Sequence, residues 1–138
     1  MFLKDLNQEE KKRFMELAVR IANADNDFAE EEKTMIQEYN DEMGLDYDIE
    51  SVDLDSDITE IISQFTGSTS QSINKIFIEL IALVMADSKF DETEKTVLEG
   101  FMNNYNIPES YLEEVKDWIK RLNTLYTEGI ELINQSHV

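Results

Sequence analysis

Apolar residues along this chain recur mostly at helical spacing. In residues 8 to 23, Phe14, Leu17, Ala18, Ile21 and Ala22 fall at i, i+3, i+4, i+7 and i+8, one face of an amphipathic helix. Asn7 followed by Glu10 has the form of a capping box at its start. After a break at Asp25-Asn26-Asp27, residues 29 to 43 carry Met35, Ile36, Tyr39 and Met43 inward, and Gly44 is placed to stop that helix. The two segments predict a helical hairpin.

Residues 46 to 57 hold six acids in twelve positions, and such like-charge density predicts an exposed connection anchored by a few apolar side chains. A short helix is expected from Asp57, capped by Asp57-x-x-Glu60 and ended near Gly67. Residues 76 to 86 are apolar except for Glu79, the pattern of a helix buried on nearly all sides and too short to cross a membrane. Asp91-x-x-Glu94 opens a further helix with Val97, Leu98, Phe101 and Met102 inward. Beyond Pro108, a last helical region from Ser110 to about Asn134 places Leu112, Val115, Trp118, Ile119, Leu122, Leu125 and Tyr126 on one stripe, with Gly129 weakening the final turns. That stripe is expected to be core, with a groove for a partner as the alternative.

Sliding the sequence by 62 positions lays Ala24 to Thr34 over Ala86 to Thr96, and seven of those eleven positions are identical. Apolar character also persists outside the block, with Ile21 over Leu83, Met35 over Val97, Ile36 over Leu98, Tyr39 over Phe101 and Leu45 over Ile107. A repeat of this kind predicts two similar hairpins that bury their apolar faces about a pseudo-twofold axis. The expected fold is therefore an all-α compact helical bundle in one domain: a hairpin at 10 to 45, an acidic connection and short helix at 46 to 68, a second hairpin at 72 to 107, and one or more C-terminal helices at 109 to 135.

These residues resemble the tellurite-resistance TerB-like family, whose duplicated Ala-Asp-Gly turns run into acidic helix starts. The likeness spans about residues 10 to 107, with the family's glycine replaced by Asn26 and Ser88. It implies a helical module linked to metal stress and to membrane-associated response systems. It also implies that the acidic positions Asp25, Glu32, Asp87 and Glu94 are metal ligands.

Apart from the resemblance, both hairpins place an Asp at the end of one helix and a Glu in the first turn of the next, and twofold packing would gather all four carboxylates. Such oxygen donors suit Mg²⁺, Ca²⁺ or Mn²⁺. The competing account makes them caps, since an Asp in a tight turn and a Glu at the third helical position both bind free backbone amides. Asp25-x-Asp27 and Asp53-x-Asp55-x-Asp57 begin like calcium loops, but lack the glycine at the sixth position and the glutamate at the twelfth. Glu79 is expected to reach the helix edge and meet Lys75 or solvent.

Asp and Glu outnumber Lys and Arg by 31 to 12, for a formal charge of −19. That field repels nucleic acid and anionic lipid, and favours cations or a basic protein partner. With no cysteine, a disulfide framework and a thiol nucleophile are excluded; the one histidine, His137, lies beside the C-terminus. No signal-like run or spanning segment is present, so a cytoplasmic protein is expected. No phosphate-binding glycine loop or nucleophile elbow occurs, which points to a non-enzymatic binding module. A protein partner is expected, and a homo-oligomer is compatible with the sequence. The alternatives are an interaction or structural module without metal and, less favoured for want of a histidine or lysine base, a metal-dependent hydrolase.

Overall fold

The computed structural model describes residues 1–23, 30–46, 57–86 and 92–137. Among them the chain is an all-α helical bundle without strands: α1 (Gln8–Ala22), α2 (Glu30–Met43), α3 (Ile58–Ser63), α4 (Ser70–Ala86), α5 (Glu92–Tyr105) and α6 (Glu109–Ile133). Two compact units follow one another, Met1–Ile107 and Pro108–Val138. None of the described helices is long and apolar enough to cross a membrane.

The repeat is visible in the helix bounds of the first unit. Adding 62 to the limits of α2 gives those of α5, and adding it to the start of α1 gives the start of α4. The starts match because equivalent residues cap them. Asn7 Oδ1 accepts from Glu10 N at 2.9 Å while Glu10 Oε1 accepts from Asn7 N at 2.9 Å, the expected capping box. Thr69, at the equivalent place, accepts through Oγ1 from Ser72 N at 3.1 Å. The ends match as well. Gly44 and Asn106 both have positive φ, 65° and 56°. Leu45 N then donates to Asn40 O at 3.0 Å, and Ile107 N to Met102 O at 2.9 Å. This 6→1 bond, with a left-handed residue before it, is the Schellman closure.

Helix α1 packs against α2, α3, α4 and α5, so its apolar stripe lies at the centre of this unit. Phe14, Leu17, Ala18 and Ile21 are fully buried, as are Ile76, Phe77, Leu80 and Leu83 of α4. The equivalent aromatics Tyr39 and Phe101 anchor the two hairpins. Tyr39 meets Phe14 edge-on with centroids 5.1 Å apart, and Phe101 stacks on Phe77 at 6.0 Å. Phe65 and Tyr105 extend the second cluster, with centroids 6.2 and 4.9 Å from Phe101. Tyr105 Oη also accepts from Phe65 N at 3.0 Å and donates to Ile62 O, so one hydroxyl closes the C-terminal end of α3. Asp57 caps the other end by accepting from Thr59 N at 2.9 Å, and α3 stops at Ser63, before Gly67.

In the second unit, α6 continues unbroken through Gly129 for 25 residues. Leu112, Val115 and Ile119 are buried, whereas Leu125 and Tyr126 are 63% and 73% exposed. The stripe expected to be core is therefore buried only in its N-terminal half.

Candidate functional site

Glu32 and Glu94 occupy the third position of α2 and α5, where a carboxylate faces the unsatisfied amides and partial positive charge of a helix start. Both are almost completely buried, 1% and 2% exposed, although most of the described carboxylates lie at the surface. Burial of an ionised carboxylate is costly unless charge or hydrogen bonds compensate it. The duplication has retained that arrangement twice, at positions 62 residues apart.

Asp25 and Asp87, the other two predicted ligands, lie outside the described residues. So do the cap at Asp91, the turn at 25 to 27 and most of the acidic connection. Among the described residues no three His, Asp or Glu side chains gather as a metal-binding group. Lys33, beside Glu32, is half-exposed and pairs with Glu30 at 3.4 Å.

Glu79 departs from expectation. It is 4% exposed and meets the N-terminal segment, in place of Lys75 or solvent. Its Oε1 accepts from Phe2 N at 2.7 Å and lies 2.8 Å from the Met1 amine. Glu42 accepts from Leu3 N at 2.8 Å and also pairs with the Met1 amine. Leu3 and Leu6 are buried beside this polar strap. Burial opposes the charge on the amine, but hydrogen bonds and attraction from Glu42 and Glu79 outweigh it and raise its pKa above 8.0. The Tyr39 hydroxyl donates to Glu79 O at 3.2 Å, and burial, with the charges of Glu79, Glu42 and Glu38, pushes its pKa well above 10.0. Sequence periodicity marked Glu79 as anomalous, but its partner 77 residues away in the chain left no local signal.

A cleft of about 450 Å³ opens between the start of α1 and the end of α3, with Asn7, Glu10, Arg13, Gln64, Phe65 and Ser68 on its walls. Asn7 and Glu10 are engaged in the capping box, and Arg13 pairs with Glu16 at 3.3 Å. These three side chains thus serve local structure. Comparison of the chain with protein-family models, characterised proteins and solved structures gave no match.

Proposed function

We propose that the chain is a non-enzymatic binding module resembling the TerB-like stress-response proteins, in which Asp25, Glu32, Asp87 and Glu94 hold a divalent cation of the Mg²⁺, Ca²⁺ or Mn²⁺ class. The supporting observation is the pair Glu32 and Glu94, two buried carboxylates at equivalent helix starts of a duplicated hairpin. Hard cations accept several carboxylate oxygens, and the acidic surface raises their local concentration. The module would act in the cytoplasm, its cation state altering the two helix starts offered to a protein partner.

The test is thermal unfolding with and without millimolar Mn²⁺, Mg²⁺ or Ca²⁺, on the wild type and on Asp87→Asn with Glu94→Gln. A cation that binds only the folded state raises the wild-type melting temperature and loses that effect in the double variant. An unchanged wild-type transition in all three cations leaves the second reading, an interaction module whose glutamates cap helices. Glu10 favours that reading, since it is buried at the third position of α1 and closes a capping box there. Turnover in a hydrolase screen with Mn²⁺ would instead make the chain an enzyme.

A further inference from the structure

The C-terminal half of α6 presents apolar side chains outward in an ordered series. Leu112, Val115, Ile119, Leu122, Tyr126, Gly129 and Ile133 follow one another at alternating spacings of three and four, the a and d positions of a heptad repeat. Trp118, Leu125 and Leu132 add a second row along one edge. The first three members of the seam are buried, but Leu125, Tyr126, Leu132 and Ile133 are 63%, 73%, 65% and 76% exposed, and Ile130 is 40% exposed. A surface helix that needed only its N-terminal half as core would carry polar residues here.

Charge identifies the occupant. The chain bears −19 overall, yet residues 118 to 133 contain two cations, Lys120 and Arg121, and two anions, Glu128 and Glu131, for a net charge of zero. Two copies can therefore approach at this segment without the repulsion that the rest of the surface imposes. Arg121 and Glu128 lie seven residues apart, two turns along the helix, and both flank the Leu125 edge. In an antiparallel pair of helices, like edges meet. With Leu125 opposite its own copy, Arg121 of each chain falls beside Glu128 of the other, and Trp118 beside Leu132. In a parallel pair the Arg121 and Glu128 edge would instead face the row of Lys116, Asn123 and Ile130, which offers no acid to the arginine.

We propose that α6 is a self-association helix, and that two copies of this chain pair antiparallel through residues 118 to 133 about Leu125. The intramolecular bond from Arg121 Nε to Asp117 at 3.0 Å orients the guanidinium and leaves its terminal nitrogens to reach Glu128 of the second copy. The contact runs for roughly 24 Å at 1.5 Å per residue, short for an obligate dimer and suited to a reversible one. It does not depend on any cation at the hairpin turns.

Sedimentation equilibrium of the full chain tests it. The wild type should pass from monomer to dimer between about 1 µM and 1 mM. Arg121→Glu should weaken association at least about tenfold, and Arg121→Glu with Glu128→Arg should restore it, a recovery that nonspecific stickiness of apolar groups would not show. Leu125→Glu should be monomeric with unchanged helical content, because that side chain is exposed in the chain itself. As the chain contains no cysteine, Arg121→Cys and Glu128→Cys proteins can be mixed in equal amounts and oxidised, and the mixed disulfide should exceed the two like pairs together, the share that random pairing would give it. A wild type that remains monomeric at 1 mM, a charge swap that restores nothing, or a mixed disulfide no more abundant than the two like pairs together would overturn the proposal.

Discussion

Gly44 and Asn106, 62 residues apart, occupy the same left-handed conformation at the ends of α2 and α5. Each lets the following amide fold back on a carbonyl of the last turn. Glycine reaches this conformation freely and asparagine at modest cost, while alanine has neither advantage. Gly44→Ala should therefore lose about 1 kcal/mol, while Asn106→Gly should stay within about 0.5 kcal/mol of wild type. Urea denaturation of the two variants checks this. Equal losses in both would mean that the repeats do not share their closing geometry.

Thr69 and Asn7 form the matching pair at the helix starts. Thr69→Ala removes the acceptor of the Ser72 amide and should cost about 1 kcal/mol, whereas Thr69→Asn should match or exceed wild type because asparagine caps slightly better. The comparison is read from midpoints at constant denaturant slope, so that a change in compactness is not mistaken for a lost cap.

The strap formed by Met1, Glu42 and Glu79 makes stability sensitive to alkaline pH. The amine's folded pKa lies above its unfolded value of 8.0, so its contribution is complete below pH 8.0 and disappears as pH rises through the folded pKa. Tyr39 acts in the same direction. Its pKa is held well above 10.0, and a further loss sets in once the unfolded tyrosine ionises near pH 10.0. Denaturation midpoints should fall in two stages. Glu79→Gln should flatten the first and Tyr39→Phe the second; a midpoint constant from pH 7.0 to the onset of tyrosine ionisation would show that the strap contributes nothing.

Local signals accounted for most of the backbone. Helical spacing placed α1 and α2, the capping box at Asn7 was readable from two side chains, and the offset of 62 anticipated the matching bounds of α2 and α5. Interactions between distant parts of the chain were not readable. Glu79 binds an amide 77 positions away, and Tyr105 closes a helix that ends 42 residues earlier. Periodicity also could not separate the buried half of α6 from its exposed half, because both carry the same stripe. Of the four acidic positions, Glu32 and Glu94 were placed at helix starts by their neighbours, but their burial depends on packing that no local pattern encodes.

With 31 acids against 12 basic residues, repulsion is spread over the whole folded surface and is relieved when the chain expands. Salt has opposing effects, since it screens this repulsion and also weakens attractive pairs. Several attractive pairs between side chains are local: Arg13 with Glu9 and Glu16, Lys33 with Glu30, Lys116 with Glu113, and Arg121 with Asp117, each three or four residues apart on a helix. Such pairs contribute about 0.2–0.5 kcal/mol each, and part of that survives in any residual helix of the unfolded chain. Repulsion should dominate, and the melting temperature should rise between about 10 and 300 mM NaCl as the Debye length shrinks several-fold. Choline chloride should act like NaCl, because screening depends on ionic strength and not on the identity of a monovalent cation. A melting temperature that falls with salt would show that the acids are arranged in attractive networks, and a rise confined to NaCl would point to site-bound sodium.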